Sequence, residues 1–177
     1  MRVIAGTARG RRLSAPEGTT TRPTPDRVRE STFNALGSLG AVVDARVLDL
    51  FAGSGAMGIE ALSRGAAAAT FVDEDRRAAR AIAANLAACD LADRATIVTS
   101  PVERFLAGVG DERWDLAVCD PPYAWTAEQW HGLLRALPAD LAVLESDRPV
   151  EPPPGWVVLR AKRYGSTHVV IVERDGP

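Results

Sequence analysis

The tetrapeptide Asp120-Pro121-Pro122-Tyr123 brings together the groups needed to hold an exocyclic amine. Neither proline carries an N–H, so the carbonyls of Asp120 and Pro121 can face a crevice as acceptors beside the Asp120 side chain. Tyr123 adds a flat ring on which a base can stack, an interaction worth about 1–3 kcal/mol per base. A plain proline turn with Tyr123 on its rim is the structural alternative. The second chemical stretch is Asp49-Leu50-Phe51-Ala52-Gly53-Ser54-Gly55-Ala56-Met57-Gly58. Gly53 and Gly55 let the backbone bend sharply against a ligand, and Gly58 lets the following helix sit close on a sheet. Asp49, between Leu48 and Leu50, needs a ligand ammonium or backbone N–H groups to offset its burial. Asp73 follows the first glycine at the spacing, about 20 residues, of a ribose-binding acid. A helix N-cap is the other reading of Asp73.

Holding these residues together requires alternating strands and helices. Residues 47–51, 69–72, 95–98, 114–119 and 141–145 read as strands, and 59–64, 75–88, 102–107 and 127–136 as helical. Residues 155–160 and 167–172, joined by Lys162-Arg163-Tyr164-Gly165-Ser166, form an antiparallel hairpin, and Pro152-Pro153-Pro154 leaves little room for a helix before it. The predicted fold is α/β, a doubly wound and mostly parallel seven-stranded sheet. Ligands of such sheets bind beyond the carboxyl ends of the strands. The glycine turn, Asp73 and Asp120 to Tyr123 all fall on that edge.

The chain opens with two short runs, 2–5 and 11–14, around the glycine-flanked loop 6–10, a small basic β-hairpin. Residues 20–24 form an extended connector. Thr24 is the expected N-cap and Pro25 the first residue of a helix to about Ser38, with Val28, Phe33, Leu36 and Leu39 along one side. Residues 1–24 are thus a basic extension, and 25–177 the nucleotide-binding domain.

At 177 residues, with 46% apolar and 25% charged, the chain has the size and composition of one globular domain. No apolar run reaches the roughly 20 residues of a membrane span, and no secretory core precedes the hairpin, which implies a cytoplasmic location without a membrane partner. Cys89 and Cys119 read as small core residues, with no histidine cluster to build a metal site. The net charge of −2 hides an asymmetry: residues 1–30 hold seven arginines against three acids, a balance of +4, leaving −6 on the rest. A basic leader on an acidic body fits one face meeting phosphates. Arg9, Arg11, Arg12, Arg22, Arg27 and Arg29 are the candidate phosphate contacts. Arg27 and Arg29 lie near a helix N-terminus, where the dipole does not favour cations, so they serve either a ligand or an ion pair with Asp26 or Glu30. A dehydrogenase using NAD would share the glycine turn and Asp73 but leaves Asp-Pro-Pro-Tyr without a purpose. His131 and His168 fall in a helix and a terminal strand, away from the crevice.

Asp-Leu-Phe-Ala-Gly-Ser-Gly and Asp-Pro-Pro-Tyr resemble the Rossmann-like class I methyltransferases, which use S-adenosylmethionine and modify exocyclic amines through an (Asn/Asp)-Pro-Pro-(Tyr/Phe) motif. More narrowly, Gly10-Arg11-Arg12-Leu13, Thr21-Arg22-Pro23-Thr24, Asp26-Arg27-Val28-Arg29-Glu30, Phe33-Asn34, Leu62-Ser63-Arg64-Gly65-Ala66 and Lys162-Arg163-Tyr164-Gly165 resemble the RsmD family of 16S rRNA guanine-N2 methyltransferases. The resemblance covers almost the whole chain. It implies that Asp49, Phe51, Gly53, Ser54, Gly55, Asp73 and Glu74 hold S-adenosylmethionine, and that Asp120, Pro121, Pro122 and Tyr123 form the catalytic pocket without a metal. It also implies a monomer whose partner is 16S rRNA within the 30S subunit or an assembly intermediate. Ser100, Pro101 and Val102 stand where related enzymes have an Asp or Asn for the adenine amine, which leaves adenine to backbone groups of that loop. A DNA or RNA adenine-N6 methyltransferase would use the same pocket, and a non-catalytic ribosome-assembly factor the same fold.

Overall fold

Near-continuous apolar runs such as Val47-Leu48 and Leu116-Ala117-Val118 suit strands covered on both faces. In the computed structural model, which describes residues 1–16, 18, 25–122 and 125–176, they form the centre of one sheet. The elements are α1 (Asp26–Ser38), β1 (Arg46–Leu50), α2 (Ala56–Ser63), β2 (Ala68–Asp73), α3 (Arg76–Cys89), a single 3-10 turn (Ala92–Arg94), β3 (Ala95–Thr99), α4 (Val102–Gly108), β4 (Trp114–Cys119), α5 (Ala127–Ala136), β5 (Ala139–Ser146), β6 (Trp156–Tyr164) and β7 (Thr167–Arg174). The strand order is β3-β2-β1-β4-β5-β7-β6. The first five strands of that order run parallel, and β7 pairs antiparallel with both β5 and β6.

The period of two splits the core cleanly between the two faces. Val47, Phe71, Val118, Val143 and Ile171 pack with Phe33 and Leu36 of α1, Ile59 and Leu62 of α2, and Ile82 and Leu86 of α3. Leu48, Val72, Ala117, Leu144 and Val170 pack with Leu106 of α4 and Trp130 and Leu134 of α5. No helix among the described residues is long and apolar enough to cross a membrane.

Several local expectations change. Helix α1 begins at Asp26, with Pro25 as its cap residue and no side-chain capping bond; Thr24 lies outside the described residues. Leu39 falls past the helix end and is exposed. Asp75, not Asp73, caps α3 by accepting from Arg77 N. Strand β1 stops at Leu50, because Phe51 turns into the left-handed region at φ 58°. Strand β6 continues through Tyr164, leaving a two-residue turn, Gly165-Ser166, with Gly165 at φ 63°.

The N-terminal hairpin is present as one antiparallel bridge, Arg2 to Arg12, rather than two strands. Its arms are joined by Val3 N to the Arg11 carbonyl, Gly10 N to the Val3 carbonyl and Leu13 N to the Met1 carbonyl, and its loop is shaped by docking as well. Gly6 lies at φ 85°, and a Cβ there would fall 1.8 Å from the Ser63 carbonyl oxygen at the end of α2. Thr7 N donates to that carbonyl, and Ala8 N to Ser63 Oγ. Val3, Ala8 and Leu13 enter the same core as α1 and α2, so the extension shares a core with the domain behind it.

Candidate active site

The carboxyl end of β1 carries the first half of the site. Asp49 is buried, its Oδ2 accepting from the Gly58 N–H at 2.8 Å. The close approach this needs depends on glycine, since a Cβ at Gly58 would lie 2.3 Å from the Phe71 ring. Gly53 and Gly55 sit at φ 55° and 74°, as a turn lying against a ligand requires. Phe51, a non-glycine residue in the same region, marks local backbone strain of the kind held at functional sites. At the end of β2, Asp73 Oδ2 accepts from Gly53 N at 2.8 Å and Oδ1 from Asp75 N at 2.9 Å. Its carboxylate is therefore oriented, with lone pairs left on both oxygens. Glu74 is exposed next to it, and Ser54 Oγ donates to Met1 Sδ at 3.5 Å. Ser100, at the end of β3, donates its N–H to the Asp73 carbonyl, while the Val102 side chain turns into the core.

Desolvation pushes the Asp49 carboxyl up to about 8, with the charges of Asp120 and Asp73 adding to the effect and the Gly58 bond opposing it. Asp120 keeps exposed surface, yet desolvation raises its carboxyl as well. Three acids, none ion-paired among the described residues, surround a glycine cradle, and the charges of Asp120 and Asp73 both disfavour ionisation of Asp49. That field fits a cationic ligand with hydroxyls, such as a sulfonium or ammonium group attached to a nucleoside. Cys119, buried behind Asp49 and Asp120, has its thiol pushed up by desolvation first and then by those two charges, which makes it an inert core residue.

Asp120 and Pro121 leave β4 into a cleft shared with Trp125, Trp130, Glu145 and Thr167. Pro121 is buried and Pro122 exposed. Tyr123 lies outside the described residues. The aromatic wall consists of Trp125, whose ring meets Phe51 edge-on at 5.2 Å and Trp130 at 5.5 Å. Neither Trp125 nor Glu145 stood out in the sequence, because each acquires its place only when β5 and α5 flank β4.

The cationic face divides in two. Arg9, Arg11, Arg12 and Arg27 are exposed, and none makes an ion pair among the described residues. Arg22 lies outside the described residues. Arg29 corrects the expected surface role: its side chain is 0% exposed, donates to the Arg2 carbonyl at 2.5 Å and to Asp26 Oδ1 at 2.9 Å, and faces Glu60 Oε2 at 3.6 Å. Glu60, fully buried on α2, accepts from Ile4 N at 2.8 Å, Ala5 N at 3.1 Å and Arg64 Nε at 2.7 Å. These two charges fasten the basic hairpin to the domain. Asn85 of α3 adds a second fastening, bonding Ser14 through both its N–H and carbonyl and donating to the Ser54 carbonyl of the glycine turn. The only sequence signal for Glu60 was a charge on an otherwise apolar helix, and Asn85 gave none. Exposed Arg160 and Lys162 on β6 share a groove with α1, where the Tyr164 hydroxyl donates to Ser31 Oγ.

Known proteins are similar to this chain in sequence and fold. The family described as Conserved hypothetical protein 95 matches residues 1–173. Ribosomal RNA small subunit methyltransferase D of Escherichia coli strain K12 is 38% identical over 183 residues, covering 99% of this chain and 90% of that protein. The structure of a hypothetical protein from Thermus thermophilus superposes with a TM-score of 0.83 at 35% identity, covering 98% of this chain and 99% of the other. Magnesium protoporphyrin IX methyltransferase from Synechocystis PCC 6803, solved with bound S-adenosylmethionine, has the same fold at a TM-score of 0.68 and 16% identity, covering 84% of this chain and 79% of the other. With a Rossmann-like class I sheet and a match along nearly its full length, the chain belongs to the Conserved hypothetical protein 95 family, the family of ribosomal RNA small subunit methyltransferase D.

Proposed function

We propose that this chain transfers a methyl group from S-adenosylmethionine to the N2 amine of one guanine in 16S rRNA, on the 30S particle or an assembly intermediate. The observation carrying this reading is the position of the Asp120-Pro121 acceptors at the end of β4, adjacent to β1 and its glycine cradle. The name of the Escherichia coli relative supports an rRNA substrate, and buried carboxyls that a cation would favour in ionised form support a cationic methyl donor. The exposed arginines of the hairpin and α1 supply contacts to phosphates.

S-adenosylmethionine supplies a methyl that its sulfonium charge already makes electrophilic. Asp49 and the Gly53–Gly55 turn hold the charged end of the ligand, and Asp73 accepts from ribose hydroxyls. A target guanine must leave its stack to reach the cleft, at a cost of a few kcal/mol. Trp125, together with Tyr123, receives the base by stacking. Asp120 and the Pro121 carbonyl accept the two N2 hydrogens, turning the amine lone pair toward the methyl. A carboxyl raised by desolvation is suited to take up the proton that the amine sheds. The protein's main contributions are alignment and exclusion of water.

The test is incubation of the purified protein with labelled S-adenosylmethionine and either 30S particles or naked 16S rRNA from a strain lacking the enzyme, followed by nuclease digestion and mass spectrometry. Label in N2-methylguanine at one position is expected. Asp120→Ala should abolish most turnover while binding S-adenosylmethionine nearly normally. Intact ligand binding with no label on either substrate sinks the reading.

A further inference from the structure

Strand β6 forms one outer edge of the sheet, and its two halves differ in character. Val157, Val158 and Leu159 are exposed and apolar, whereas Arg160, Lys162 and Arg163 are exposed cations. Charges on an edge strand commonly serve to prevent pairing with other chains. These are missing from the apolar half that would need them, and they gather where the strand nears the cleft. Because β7 is antiparallel to both β5 and β6, β6 ends on the same edge of the sheet as β5. Its last residue, Tyr164, pairs with Thr167, which lines the cleft beside Asp120. Lys162 stands two residues back, about 7 Å along the strand.

Arg160, Lys162 and Tyr164 meet Ser31 and Thr32 of α1 across a groove that also includes the buried Val169. No carboxylate lines the groove among the described residues. Neither Arg160 nor Lys162 makes an ion pair among those residues. The Lys162 ammonium lies over the Tyr164 ring at 5.0 Å, a contact that orients the charge without neutralising it. Ser31 Oγ accepts from the Tyr164 hydroxyl, which leaves its own hydrogen to donate. Arg27, exposed one turn before Ser31, adds a third cation at the rim, and the 3.6-residue period turns Glu30 farther away. Glu145, which pairs with Val169 on the far side of β7, is buried. Arg163 alternates to the other face of β6, its Nε donating to the Gly165 carbonyl at 2.7 Å.

Resting on the rRNA reading above, we propose that Arg160 and Lys162, with Arg27 at the rim, bind phosphates of the rRNA strand on the side of the cleft away from the basic hairpin. The strand order favours this two-sided grip. The hairpin is tied to Ser54 of the turn after β1 and to Asn85 of α3, on one side of β4, while β5, β7 and β6 follow on the other. An RNA strand with one base against Asp120 therefore meets cations both ahead of that base and behind it. Continuity with the cleft favours a nucleic-acid backbone over an acidic protein segment, since one ligand then occupies both.

The experiment compares the wild type with the double variant Arg160→Ala, Lys162→Ala in binding naked 16S rRNA over a range of salt. Both side chains are exposed, so Tm and S-adenosylmethionine affinity should not change. The slope of log affinity against log salt should fall by about 0.7 for each single-strand phosphate lost, or about 1.4 for two. The charge-keeping double variant Arg160→Lys, Lys162→Arg should retain the wild-type slope. In turnover, the alanine variant should raise KM for the rRNA substrate and leave kcat at saturation unchanged. An unchanged slope on naked rRNA would overturn the inference. So would a loss confined to 30S particles, which would make the groove a contact for a ribosomal protein, or a wild-type dimer that the variant dissolves, which would assign it to a second copy. Formation of N2-methylguanine by the wild type reports on the reaction and the salt slope on the groove, so the two readings can fail separately.

Discussion

Gly58 and Asp49 constrain each other: the Gly58 N–H donates to Asp49 Oδ2 at 2.8 Å, and a Cβ on Gly58 would sit 3.1 Å from that oxygen as well as 2.3 Å from the Phe71 ring. Gly58→Ala should therefore cost about 1–3 kcal/mol through overpacking and weaken ligand binding by displacing Asp49. Gly53→Ala meets only the Phe51 carbonyl, at 3.9 Å, so its cost is limited to about 1 kcal/mol for the positive φ. Thermal melts with and without S-adenosylmethionine compare the two. Equal costs would show that helix-to-sheet approach is not what Gly58 provides.

The Asp49 carboxyl rises on folding from 3.8 to about 8. The native state thus binds a proton that the unfolded chain has released. This contribution to stability is fully present below about pH 4 and is lost as pH rises through about 8, with a slope of at most about 1.4 kcal/mol per unit. Asp49→Asn should flatten the dependence of Tm on pH between those limits. A cationic ligand prefers the ionised form, so S-adenosylmethionine affinity should rise with pH over the same window in the wild type and not in Asp49→Asn. Calorimetry in buffers of different ionisation enthalpy would detect the released proton.

Removing Glu60 takes the acceptor from Ile4 and Ala5 and leaves the buried Arg29 with Asp26 as its one ion-pair partner among the described residues. Losing one member of such a buried charge cluster costs up to about 3–5 kcal/mol. In Glu60→Ala we expect trypsin to cut after Arg9, Arg11 and Arg12 well before the domain core. Unchanged digestion kinetics would mean that Ser63 and Asn85 suffice to hold the hairpin.

Arg11 and Arg12 are exposed beside this anchored loop. Replacing both with Ala should weaken 16S rRNA binding and reduce the slope of log affinity against log salt by about 0.7 for each single-strand phosphate no longer neutralised. Filter binding between low and moderate salt measures it. An unaltered slope takes the hairpin out of the RNA interface.

What the sequence carries well is whatever depends on near neighbours. Trp114–Cys119 and Ala127–Ala136 appear within the bounds their periodicity predicts, and the latter starts with a Thr126–Gln129 capping box. The glycine turn and Asp73 converge because the fold class alone puts strand ends on one edge. Residues whose meaning lies in distant partners were illegible. Arg29 reads as a misplaced surface cation until Glu60 and the Arg2 carbonyl are known to surround it. Glu60, Asn85 and Glu145 carry no local signature, since their surroundings come from other elements. The two hairpin strands were overestimated because alternation cannot register the pull of Ser63 on Gly6.

The bond from Tyr164 to Ser31 joins residues 133 apart, and the Arg29–Glu60 pair ties α1 to α2. Helix α1 is synthesised ahead of every strand of the sheet, yet the strand that completes its surroundings follows all of the parallel ones. A nascent chain halted before β6 would leave α1 half covered and the cleft without its Thr167 wall. Synthesis through β7 is thus a condition for a finished site, and truncations short of Tyr164 should yield chains that neither bind ligand nor resist proteolysis.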